Sequence, residues 1–123
     1  MDSYLLIQKN LRNSLCSLRL IVIENMSIQE KNKELMITLD NAWNSQDWTT
    51  FNERHADNVA VFWPGQPDPT RGVHNHRQES IEFFKMFPDN HLINNPYKIL
   101  IAEGDYTCSV ADFTGTFKQY LFL

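Results

Sequence analysis

The segment over residues 97–117, Tyr-Lys-Ile-Leu-Ile-Ala-Glu-Gly-Asp-Tyr-Thr-Cys-Ser-Val-Ala-Asp-Phe-Thr-Gly-Thr-Phe, constrains the fold more than any other. Two runs rich in β-branched and aromatic residues, 97–102 and 106–117, flank Glu103-Gly104-Asp105. That tripeptide is a turn signal, so the spacing predicts two long strands folded back as a hairpin. Upstream, the pattern is mostly helical. Ser27 with Glu30 three residues on is a capping box: the Ser oxygen takes an orphan helix N–H while the Glu reaches back to the cap. Ile28, Leu35, Leu39, Ala42 and Trp43 then fall on one helical stripe. Asp47 can cap a second short helix carrying Trp48, Phe51 and His55. Val59-Ala60-Val61-Phe62-Trp63 reads as a short strand ended by Pro64-Gly65, and residues 73–87 as a third helix stopped by Pro88. The predicted order is α-α-β-α-β-β.

The first 25 residues differ. Residues 3–23 hold no acid, three bases (Lys9, Arg12, Arg19) and an apolar row of Leu11, Leu15, Leu18 and Val22 at helical spacing. The uncharged run between Arg12 and Arg19 is far shorter than the roughly 20 residues a membrane span needs. We therefore read 1–25 as an amphipathic N-terminal extension and 26–123 as the domain proper, with a cytoplasmic location and no membrane partner expected. At 123 residues, 42% hydrophobic, with 8 Phe, 3 Trp and 4 Tyr, the chain has the means for one packed core. A net charge of −4 and a pI near 5.5, without a basic cluster, argue against nucleic-acid binding. Cys16 and Cys108 have no metal-ligand spacing and read as buried small residues, so neither a zinc site nor a disulfide framework is expected.

Three stretches, "AWNSQDWTTFNERHADNVAVFWPGQPDPTRG", "FFKMFPD" and "LIAEGDYTCSVADFTGTF", together resemble the SnoaL-like polyketide cyclase family of the NTF2-like superfamily. The resemblance implies an α+β fold: a cone of three helices packed on a curved, mostly antiparallel sheet, with an apolar pocket at its open end. It also implies a small hydrophobic, polyketide-like partner and cofactor-free aldol-type acid–base chemistry in a dry pocket. In the cyclases the acidic and histidine residues of that chemistry follow the segment matching Gly115-Thr116-Phe117, and this chain ends six residues later. The expectation is accordingly a domain truncated at its C-terminus, lacking its last strands and, with them, the carried-over catalytic residues. The expected function is a small-molecule cyclase or ligand-binding protein, inactive if truncated. The alternative is a non-catalytic protein-interaction module that forms a homodimer through the sheet.

In the related ketosteroid isomerases the base and the oxyanion-holding Tyr fall, by ungapped comparison, on Trp63 and Leu39, neither of which can do that job. Trp63 is instead expected to wall an apolar pocket, together with Leu39, Trp43, His55 and Phe84. These aromatics are core residues first and ligand walls second. His55 ends the second helix, where it either points into the pocket or donates to a carbonyl. Asp112 sits mid-strand: inside an apolar pocket its pKa would rise and it could act as a base, and on the outer face it is a solvated acid. His91, with Asp89 nearby, is placed at the pocket rim. Asp112 and His91 are thus the two catalytic candidates. His74 and His76, two apart, make a poor metal pair and read as surface residues. No cofactor and no metal are expected.

Overall fold

A computed structural model describes residues 26–118. The apolar row at Leu11, Leu15, Leu18 and Val22, Cys16 and the tail residues Tyr120, Phe122 and Leu123 lie outside the described residues. Helix α1, Ile28–Ser45, begins at the capping box: the Glu30 N–H donates to Ser27 Oγ at 3.2 Å and the Ser27 N–H to Glu30 Oε2 at 2.8 Å. It ends where Gln46 enters the left-handed region at φ 55°. Asp47 then caps α2, Trp48–Glu53, by accepting from the Thr50 N–H at 3.1 Å. Strand β1, Ala60–Val61, pairs antiparallel with β2, Thr70–Arg71. Gly72, at φ 85°, turns the chain into α3, Val73–Met86, which stops ahead of Pro88.

Four strands follow: β3, His91–Ile93; β4, Ile99–Glu103; β5, Tyr106–Val110; and β6, Asp112–Thr114. The Glu-Gly-Asp hairpin forms in register, Glu103 opposite Tyr106, with Gly104 at φ 55° supplying the positive φ of the tight turn. It lies against α1, and the Asn32 side-chain amide donates to the Gly104 carbonyl at 2.9 Å. Leu100, Ala102 and Thr107 are half-buried on one face of the hairpin, whereas Ile99, Ile101, Tyr106, Cys108 and Val110 are exposed on the other.

The expected cone on one curved sheet lacking its last strands is not what forms. The strands pair as three separate two-stranded antiparallel ladders, β1–β2, β3–β6 and β4–β5, so that each of the six strands among the described residues has a partner. The cause lies at Ala111. There the predicted 106–117 strand breaks: β5 stays on β4, while β6 crosses to β3, pairing Phe113 with Leu92. Lys98 spans the break, its N–H donating to the Val110 carbonyl and its ammonium pairing with Asp112. Strands of two or three residues, such as β1, β2, β3 and β6, have too few backbone groups to carry a ladder across to a neighbour.

The core is an aromatic cluster between the helices. Ala42, Phe51 and Phe84 are buried; Trp43 and Phe84 have ring centroids 5.2 Å apart, and Trp48 meets Phe51 edge-on at 5.4 Å. Asn90 ties this cluster to the β3–β6 ladder. Its Oδ1 accepts from the Trp43 indole N–H at 2.9 Å and its amide donates to the Phe87 carbonyl at 2.7 Å. Gly115 passes so close that a Cβ there would lie 3.3 Å from Asn90 Cβ.

Candidate functional site

Every element class contributes to one cavity of about 490 Å³. Helix α1 supplies Leu39, Asp40 and Trp43, and α2 with its C-terminal turn supplies Phe51 and His55. Val61 of β1 and the following Trp63 form a second wall, His76 and Phe83 of α3 a third, and the paired Leu92 and Phe113 a fourth. The lining is apolar apart from Asp40 and the two imidazoles, and among the described residues it holds no Lys or Arg.

Asp40 is fixed by Tyr97, whose phenol donates to Asp40 Oδ2 at 2.6 Å. Burial raises the Asp40 carboxyl above the usual carboxylate range, and the Tyr97 hydrogen bond pulls the other way. Tyr97 is in turn pushed up, first by burial and then by its bond to Asp40. His55 donates from Nδ1 to the Phe51 carbonyl at 2.7 Å, so in the neutral ring Nε2 carries no proton and is an acceptor. Burial lowers its pKa, opposed by that carbonyl.

His76, buried with its ring 5.0 Å from those of both Phe51 and His55, is lowered to about 4, by desolvation first and the neighbouring His55 second. Glu79 offsets this only weakly, its Oε2 lying 4.0 Å from His76 Nδ1, and Nδ1 has no hydrogen-bond partner. Glu79 serves Trp63 instead: it accepts the indole N–H at 3.1 Å and the Thr70 hydroxyl, which fixes the indole against the cavity.

Of the residues singled out from sequence, Leu39, Trp43, His55 and Trp63 come together on this cavity, and Phe84 packs behind it against Trp43 and Trp48. Asp112 and His91 do not reach it: both are exposed on the β3–β6 ladder, and Asp112 is paired with Lys98. Two expectations are corrected. His76 is buried rather than on the surface, because it shares the buried α3 face with Ser80 and Phe84, four and eight residues on. Cys108 is exposed rather than buried, because it lies opposite Ile101 on the outer face of the hairpin.

Sequence reasoning missed Asp40, Tyr97 and the inward-facing His76. The signal for Asp40 was its position three residues before Trp43, on the flank of the apolar stripe. Among the described residues no group of three or more His, Cys, Asp or Glu side chains is placed to hold a metal ion, and no helix is long and apolar enough to cross a membrane.

This layout meets its relatives at the level of the family. The model for the SnoaL-like polyketide cyclase family matches residues 33–122, and the chain belongs to that family, within the NTF2-like superfamily. No curated protein matches it. Among solved structures, it is similar to an uncharacterized cystatin fold protein from Novosphingobium aromaticivorans, with a TM-score of 0.59 and 23% identity over 75% of this chain and 79% of that one. At that identity the likeness concerns the fold alone.

Proposed function

We propose that this chain is a non-catalytic binding module of the NTF2-like superfamily that holds a small hydrophobic molecule between α1, α2 and α3. The observation that carries this reading is the cavity itself. Its volume, about 490 Å³, lies in the range of small-molecule sites (roughly 300–1,000 Å³), and its walls are aromatic and aliphatic with a few polar groups. A planar bicyclic or tricyclic compound of polyketide type suits those dimensions. Leu39, Trp43, His55 and Trp63 are the wall residues in this reading, and Phe84 supports Trp43 from behind. The two acid–base candidates, Asp112 and His91, lie away from the cavity, which favours binding over cyclase chemistry.

The test is a titration of the full chain with 1-naphthylmethanol, followed by calorimetry. We expect saturable binding of one molecule per chain, and its loss in Leu39→Trp, whose indole fills the cavity; circular dichroism confirms that the variant is folded. Absence of saturable binding by the folded wild-type chain would overturn the proposal.

A second reading is favoured by a separate observation. The outer face of the β4–β5 hairpin presents Ile99, Ile101, Tyr106 and Val110 at 48, 58, 83 and 42% exposure. A contiguous apolar face of this kind fits self-association through the sheet.

A further inference from the structure

We propose that the cavity selects a hydrophobic ligand carrying a protonated amine, with the ammonium seated on Asp40 against the faces of the surrounding aromatic rings. This rests on the reading of the cavity as a small-molecule site and adds the chemical class of the occupant.

Asp40 is the one carboxylate on the lining among the described residues, and it stands there without a counter-ion. Oδ2 accepts from the uncharged Tyr97 phenol, and no donor among the described residues meets Oδ1. The lining has no Lys or Arg, and the two imidazoles, His55 and His76, are held neutral at pH 7 by burial. A carboxylate taken out of water without an opposite charge is costly, and the cost falls when a cation is brought to it. Protonation is the other way to remove the charge: burial favours it, and the Tyr97 hydrogen bond opposes it, so a cation that reaches Oδ1 tips the balance to the ionised form.

The remaining lining agrees with a cationic guest. Trp43, Phe51 and Trp63 present aromatic rings, and a cation over such a face is attracted by the ring quadrupole. His55 Nε2 adds an acceptor. An ammonium brings donors to these acceptors. A carboxylate or phosphate would meet Asp40 with like charge and find no cation on the described lining.

Three probes with one carbon skeleton separate the cases: 1-naphthylmethylamine, 1-naphthylmethanol and 1-naphthoate, titrated calorimetrically into the full chain at pH 7. The expected order is amine tighter than alcohol by about tenfold, with the carboxylate weakest, since a charge-assisted contact is roughly twice as strong as a neutral one. In Asp40→Asn the amine should fall to within about twofold of the alcohol measured in that same variant, because the charge is removed.

Binding of the alcohol with no preference for the amine in the wild-type chain overturns this inference and leaves the small-molecule site standing. Persistence of the preference in a folded Asp40→Asn overturns it equally. If that variant does not fold, the wild-type ranking and its narrowing with added salt decide: an amine advantage that does not narrow from low to high ionic strength also overturns it. Failure of all three probes to bind the folded wild-type chain removes the site and the inference together.

Discussion

At the scale of single residues, His76 is a buried histidine whose surroundings disfavour its charged form. Its folded pKa of about 4 lies below the ordinary 6.5, so as pH falls the unfolded chain takes up the proton first. The stability tied to His76 is therefore full above pH 6.5, declines between 6.5 and 4, and is exhausted below 4. The size is on the order of 3 kcal/mol. His55, also lowered, acts in the same sense; Asp40, raised, gains stability as pH falls through its own lower range. Urea denaturation of wild type and His76→Gln across pH 7 to 4 isolates the contribution, and we expect a flatter profile in the variant. Equal slopes would mean that the ring is solvated. The single-residue features most legible in sequence were those with a local cause. His55 follows a helix whose end supplies a carbonyl, and it does bond Phe51. Asp40 was illegible because its partner, Tyr97, is 57 positions away. His76 was judged against His74, its neighbour in sequence, when its neighbours in space on α3 are Ser80 and Phe84.

At the scale of elements, the helices and the local β4–β5 hairpin were legible, and the pairings between strands distant in sequence were not. The starts of α1 and α2 follow from Ser27, Glu30 and Asp47, which act within one turn. Ser27→Ala should thus lower stability by about 1 kcal/mol in denaturant melts, and no change would mean that the first turn is frayed in solution. Strand pairing depends on residues far apart, and the alternation of 106–117 continues through Ala111 without marking the change of partner. The three-residue β3 carries too little pattern to stand out, and β2 follows a Pro-rich loop. The close approach of Gly115 to Asn90 gives the second prediction here. A methyl at 115 would press on Asn90 Cβ at 3.3 Å and Cα at 3.4 Å, next to the side chain that anchors the Trp43 indole. Gly115→Ala is expected to cost about 1–3 kcal/mol, as overpacking does, and to change the Trp43 emission; a variant as stable as wild type would show that Asn90 gives way freely.

At the scale of the whole molecule, the cavity and the hairpin face lie on different surfaces of the fold, so binding and association can be tested apart. If the outer face pairs two copies, light scattering should show a dimer that Ile101→Lys with Tyr106→Lys converts to a monomer, with naphthylmethanol binding retained. A wild-type monomer at high concentration would remove the association reading. We further propose that residues 1–25 form an extension outside the domain: a chain starting at Met26 should melt within a degree or two of the full chain, and a larger drop would show that the extension packs on it. The ladders, finally, have a consequence for motion. The three pairs share no strand, so no line of backbone hydrogen bonds runs from one to the next. Each can therefore open on its own, like separate leaves clasped by common helices. Amide exchange should then resolve three protection classes, with β4–β5, clamped along α1, slowest, and the two-residue β1–β2 fastest. Of the cavity walls, the one bearing Trp63, which follows β1, should then exchange earliest.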